Sequence, residues 1–189
     1  MEKKKGEIIV VSGPSGAGKT TIVKKILKLY PEITFSVSAT TRLKRANEKV
    51  EYYFLSDDKF KDRINKNEFV EWEKFYDYYY GTFKSSIDDN INAGRSVLLE
   101  IDVKGALSIK EIYSNSHLVY IMPPSYDVLI ERLKNRQTET KEDLQKRILR
   151  AKMELSLKDQ FHYIVINENL NKAIEETSII IKKILNKEN

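Results

Sequence analysis

Eight residues, Gly13-Pro14-Ser15-Gly16-Ala17-Gly18-Lys19-Thr20, fit the pattern G-x-x-x-x-G-K-[ST] and constrain the fold more than any other stretch. The pattern belongs between a strand and a helix, and both flanks are present. Ile8-Ile9-Val10-Val11 is a short apolar run of the kind a buried strand shows. After the loop, Ile22, Val23, Ile26, Leu27 and Tyr30 recur at helical spacing until Pro31 ends the helix. Glycines let a backbone approach a polyphosphate closely, and amide N–H groups at a helix N-terminus supply positive potential there. Lys19 can then reach the β- and γ-phosphates, and the Thr20 hydroxyl can ligate Mg²⁺. By itself the loop establishes nucleoside triphosphate binding and no more.

The rest of the chain repeats the strand-then-helix rhythm. Val97-Leu98-Leu99, Leu118-Val119-Tyr120-Ile121-Met122 and Tyr163-Ile164-Val165-Ile166 read as three more buried strands. This alternation predicts an α/β fold, a three-layer arrangement of the phosphate-loop type with a parallel central sheet. With 189 residues, 41% of them hydrophobic, one domain with a sizeable core is expected. The core comprises residues 1–34, 84–125 and 162–189. Two polar, less regular segments, 35–83 and 126–161, read as insertions over the ligand edge of the sheet. No cysteine occurs, which excludes disulfides, a thiol nucleophile and cysteine metal sites. No apolar stretch approaches the ~20 residues that span a bilayer. The start, Met1-Glu2-Lys3-Lys4-Lys5, is charged rather than signal-like, so a cytoplasmic protein without a membrane partner is expected. The net charge of +5 comes from lysines scattered among acids, which argues against a nucleic-acid partner.

Several stretches carry candidate chemistry. Residues 35–40 alternate as one half-buried strand, with Ser36, Ser38 and Thr40 on its hydroxyl face. Arg42, Lys44 and Arg45 follow, either as a solvated basic turn or as an anion clamp; charge alone does not separate the two. Tyr52-Tyr53-Phe54-Leu55 reads as a strand, and Ser56 caps a helix from Asp57 to about Lys66. A strand over 68–75 places Trp72 in the core and Glu71 on one face with Phe69 and Glu73. The tyrosines from Tyr76 to Tyr80 read as packing. Ser85-Ser86-Ile87-Asp88 has capping-box spacing. Glu100 and Asp102 end a buried strand, where open α/β sheets place their ligands. Asp102 either caps the next helix or holds the Mg²⁺ hydration shell; the demand of the phosphate loop for a metal favours the second. Arg132, Arg136, Arg147 and Arg150 are either helix-surface charge or part of a lid over a triphosphate. His117 and His162 have no acid or serine at a suggestive spacing and read as structural.

In this order the motifs resemble the guanylate kinase family of nucleoside monophosphate kinases, over nearly the whole chain. They are the loop at 13–20, Ser-Val-Ser-Ala-Thr-Thr-Arg at 36–42 with Arg45, Glu-Phe-Val-Glu-Trp at 68–72, Tyr-Tyr-Gly-Thr at 79–82, Leu-Glu-Ile-Asp at 99–102, Pro-Pro-Ser at 123–125 and Val-Ile-Asn at 165–167. The resemblance implies Mg²⁺-dependent transfer of a phosphoryl group from ATP to GMP, with dGMP open as a second acceptor. It implies ATP contacts from Gly13, Pro14, Ser15, Gly16, Ala17, Gly18, Lys19, Thr20, Thr21, Arg136 and Asn167. Arg42, Arg45, Tyr52 and Tyr80 are implied to hold the GMP phosphate, and Ser38, Glu71 and Thr82 to read guanine. Glu100 and Asp102 are implied near the acceptor, with Thr20 and Asp102 near the metal, largely through water. Lys19, Arg42, Arg136 and Arg147 are the implied catalytic cations. Two stretches depart from the family pattern: the loop after Arg45 is short and lacks glycine, and Asn135-Arg136-Gln137 stands where glycines usually flank the arginine. The alternatives are a non-catalytic guanylate-kinase-like interaction module and a kinase for another nucleoside monophosphate. A monomer or a homodimer is expected.

Overall fold

Four apolar runs and one short edge segment form a single parallel sheet with β1 (Ile8–Ser12) at its centre. The computed structural model describes residues 5–44, 52–75, 77–135 and 141–186. The strands are β1, β2 (Thr34–Phe35), β7 (Val97–Glu100), β8 (His117–Met122) and β9 (Tyr163–Ile166), in the order β2-β7-β1-β8-β9. All four pairings are parallel, with Val10 opposite Leu99 on one side and Leu118 on the other. Parallel pairing requires crossovers, and the crossovers cover both faces.

Alternate residues of each strand serve different layers, as the pleat demands. Ile8, Val10, Val97, Leu99, Leu118 and Tyr120 pack with α3 (Lys84–Asn92) and α4 (Val103–Ile112). Ile9, Val11, Leu98, Val119, Ile121 and Val165 pack with α1 (Lys19–Leu29) and α7 (Leu170–Asn186). This is the expected three-layer α/β architecture.

A second sheet, of order β4-β3-β6-β5, is built from β3 (Ser38–Thr40), β4 (Tyr52–Phe54), β5 (Phe69–Phe75) and β6 (Tyr78–Phe83). Its own small core stacks Phe60, from α2 (Asp57–Asn65), on Phe69 and Tyr79. The Ser56 hydroxyl accepts from Lys59 N–H and caps α2 as expected. Beyond β8, α5 (Tyr126–Lys134) and α6 (Lys141–Ser156) pack on each other through Leu129, Leu133 and Ala151.

Four expectations are corrected. Residues 35–40 are two strands, not one: Ser36 N–H still donates to Leu98 O of the central sheet, whereas Ala39 pairs with Gly81 of the second. Trp72 is not core but 47% exposed, because β5 turns that face to solvent. A bulge between Phe69 and Glu71 parts these residues: Phe69 stacks on Phe60 and Phe83, while Glu71 lines a cleft with Glu73. The capping box at Ser85 does not form; α3 begins at Lys84 after Phe83, and Ser86 Oγ donates to Phe83 O.

Leu99 is fully buried among α3, α4 and the neighbouring strands. Leu99→Ala is expected to cost about 2–5 kcal/mol. Thermal melting should show a drop of roughly 5–15 °C, and an unchanged Tm would contradict this packing.

Candidate active site

The carboxyl ends of β1, β7 and β8 lie along one edge, because parallel strands in register end together. The loop after β1 must turn sharply there. Gly13 has φ 137°, and a Cβ on it would stand 2.2 Å from Ile121 O. Gly18 has φ 95° and precedes α1, and its Cβ would stand 2.3 Å from Asn167 Nδ2. No side chain fits at either point.

Asn167 fastens this loop from outside. Its buried side chain donates from Nδ2 to Ala17 O at 2.7 Å, its backbone N–H donates to Met122 O, and its carbonyl accepts from Arg132 at 3.1 Å. The side chain expected at the nucleotide thus holds the loop that would hold the nucleotide. Lys19 Nζ donates to Gly13 O at 2.6 Å and Pro14 O at 3.0 Å. Thr20 Oγ1 donates to Glu100 Oε1 at 2.5 Å, which joins the start of α1 to the end of β7. Thr21 is exposed beside it.

A cleft of about 300 Å³ runs from this loop to the second sheet. Gly13, Ser15, Lys19 and Glu100 line it beside the loop, Ser38, Tyr52, Glu71 and Tyr80 line it beside the second sheet, and Asp102 lies between them, next to Glu71 through Gly105. Arg147 reaches the cleft from α6. Thr82 is buried behind its wall and donates to Glu71 Oε1 at 2.6 Å, with Ser38 Oγ 3.5 Å from the Thr82 hydroxyl. Arg42 sits beside this end, its guanidinium 4.9 Å over the Tyr52 ring, while Tyr52 meets Tyr80 edge-on. Asp102 is the N-cap of α4: its Oδ1 accepts from Gly105 N–H at 3.0 Å. Arg45 and Arg136 lie outside the described residues, as do residues 46–51 and Gln137 of the two atypical stretches.

Sequence reading assigned no site role to three members of this wall, Glu73, Phe75 and Glu154, and left Arg150 open between surface charge and a lid; all four line the cleft. The only local signals were the two-residue step from Glu71 to Glu73 and the four-residue step from Arg150 to Glu154. The histidines take structural contacts, as read, and neither lines the cleft: His117 Nε2 lies 3.4 Å from Glu7 Oε2, and His162 Nδ1 accepts from Leu118 N–H.

Burial pushes the Glu71 carboxyl up to about 7, with Asp102 and Glu73 adding to the rise and the Thr82 hydroxyl opposing it. The folded value lies above the ordinary 4.5. Folding therefore loses stability as pH climbs between the two and stays lower above them. Glu71→Gln removes that loss. It should stabilise the ligand-free protein at pH 8 by on the order of 1–3 kcal/mol, roughly 2–8 °C in Tm, with the gain fading toward pH 4.5. Melts across pH check this; a gain that grows on acidification would contradict it.

Comparison with known proteins agrees with this geometry. The guanylate kinase family profile matches residues 5–184. Proteins named guanylate kinase from Thermotoga maritima and Caldanaerobacter subterraneus are 46% and 43% identical to this chain. The alignments cover 94% and 95% of this chain and 87% and 88% of theirs. The crystal structure of guanylate kinase from Anaplasma phagocytophilum superposes with a TM-score of 0.79 at 29% identity, covering 98% of this chain and 89% of that one. The chain belongs to the guanylate kinase family.

Proposed function

We propose that this protein is an ATP:GMP phosphotransferase, giving ADP and GDP. The observation that carries the reading is one cleft with two different ends: a phosphate loop bearing Lys19, and a desolvated carboxylate, Glu71, backed by Thr82 and Ser38. Guanine presents two donors on one edge, N1–H and N2–H₂, and a carboxylate accepts both; adenine lacks that pair. Residues 35–83 form the acceptor-binding insertion and residues 126–161 the lid.

The work of the protein is to position two anions and to stabilise charge. Backbone amides of residues 13–20 cradle the ATP phosphates, and Lys19 exchanges its loop carbonyls for phosphate oxygens. Arg42, Tyr52 and Tyr80 hold the GMP phosphate, together with Arg45. Arg147, from α6, and Arg136 neutralise the phosphoryl group between the nucleotides. Enclosure by both insertions excludes water, which would otherwise take the phosphate.

Mg²⁺ fits the donor set beside the loop, since Thr20 Oγ1 and Glu100 Oε1 are oxygen ligands 2.5 Å apart at the start of α1. Held there, it would supply positive charge to offset that of the ATP phosphates. Asp102 Oδ1 already holds Gly105 N–H and faces Arg150 at 3.6 Å, which suits a contact through water. No helix among the described residues is long and apolar enough to cross a membrane.

Three measurements test the reading. In a steady-state panel, kcat/KM for GMP should exceed those for AMP, UMP and dTMP by roughly 10²-fold or more, and equal turnover of AMP would overturn guanine readout. Glu71→Gln should lower kcat/KM for GMP on the order of 10²-fold, because a donor then faces a donor. In the unsubstituted enzyme the same constant should rise with pH through about 7, as Glu71 ionises, and that step should vanish in Glu71→Gln. Retention of the step would assign it to another group.

A further inference from the structure

Five carboxylates line the cleft: Glu71, Glu73, Glu100, Asp102 and Glu154. An anionic substrate must enter among them. Arg150 joins three. Its Nη2 donates to Glu73 Oε2 at 2.6 Å and lies 3.6 Å from Asp102 Oδ1, and its Nε donates to Glu154 Oε1 at 2.9 Å. The guanidinium also lies 4.5 Å from the Phe75 ring centre. These partners come from three places in the chain: strand β5, the cap of α4, and α6 itself.

Two of the partners frame Glu71. Glu73 follows it by two residues on β5 and lines the same cleft. Asp102 caps α4 by holding Gly105 N–H, and Gly105 is the residue against which Glu71 lies: a Cβ there would stand 2.9 Å from Glu71 Oε2. One side chain from α6 therefore grips both structures that fix the base-reading carboxylate. Only 19% of the Arg150 side chain and 4% of Glu154 are exposed, while Glu73 and Asp102 keep 29% and 28%, so the guanidinium itself is the shielded hub of the network. Each charge in it needs its partners, since an uncompensated buried charge is costly.

We propose that Arg150 is a positioning residue for the acceptor nucleotide: from α6 it fixes Glu73 and Asp102 as the frame around Glu71 and offsets their charge where GMP enters. The inference rests on the GMP reading above. A planar fork is needed for this, because one guanidinium serves three carboxylates in different directions. A lysine ammonium is a single point charge and keeps only part of the grip.

The experiment compares Arg150→Ala, Arg150→Lys, Glu73→Gln and the double variant Arg150→Ala/Glu73→Gln, varying both substrates and measuring each Tm. Arg150→Ala is expected to raise KM for GMP at least about tenfold and KM for ATP less than about threefold. Arg150→Lys should fall between it and the unsubstituted enzyme. Glu73→Gln should also raise KM for GMP, and the double variant should be no worse than Arg150→Ala alone, because one shared interaction is lost only once. The proposal is overturned if KM for GMP stays within about twofold, if both KM values rise alike, or if the two single effects multiply. Should Arg150→Ala fail to fold, Arg150→Lys and Glu73→Gln decide: each raises KM for GMP selectively, or the proposal falls. Turnover of GMP by the unsubstituted enzyme in the same series tests the underlying reading separately; its absence sinks that reading, whereas normal turnover with unaffected variants sinks only the role of Arg150.

Discussion

The turn from β1 into α1 has to reverse direction within a few residues while keeping its amides aimed inward. Gly13 and Gly18 meet that demand with φ of 137° and 95°, against the Ile121 carbonyl and the Asn167 amide. Such a loop keeps its shape only if its outer surface is held. The ends of β8 and β9 supply that hold, since Ile121 and Met122 close β8 and Asn167 follows β9. The anion cradle is therefore a property of three neighbouring strands, not of eight residues. The sheet register adds the rest: Val11 lies opposite Glu100, so the start of α1 meets the end of β7 and Thr20 finds the Glu100 carboxylate.

Much of this was legible because its signals are local. The apolar runs at β1, β7, β8 and β9, the helical spacing after the loop, and the cap Ser56 each depend on a few adjacent residues. The misreadings share another cause. Residues 35–40 do alternate, yet alternation does not say which sheet a strand joins, and the chain leaves one sheet for the other after Ser36. Trp72 has the residue type of a core member but lacks a covering element. Capping-box spacing at Ser85 lost to a helix that began one residue earlier.

The site shows the same division. Lys19, Thr20 and Asp102 could be named because the local pattern and the resemblance both pointed to them, and Glu71 because the resemblance did. The pairing of Glu73 with Arg150 could not be read: their contact spans 77 positions, and nothing near either residue announces it. The Glu7–His117 contact spans 110 positions and was hidden for the same reason. Long-range pairs of charged side chains are set by tertiary packing, and a single sequence does not carry that packing on its surface.

Reading guanine with a carboxylate, the role proposed for Glu71, would create a difficulty that the rest of the cleft has to answer. The carboxylate must be dry to discriminate, and drying it raises its proton affinity toward neutrality. It also adds negative charge where a nucleotide anion must sit. Cations on the same small sheet could offset that charge at all times, but they would leave the cleft equally attractive with α6 absent. Placing Arg147 and Arg150 on α6 instead makes charge compensation depend on the helix being docked. If residues 126–161 act as the proposed lid, the element that encloses the reaction is also the element that makes the acceptor end hospitable to an anion. Under that arrangement an open cleft is electrostatically poor for transfer, and water has little chance to stand in for GMP.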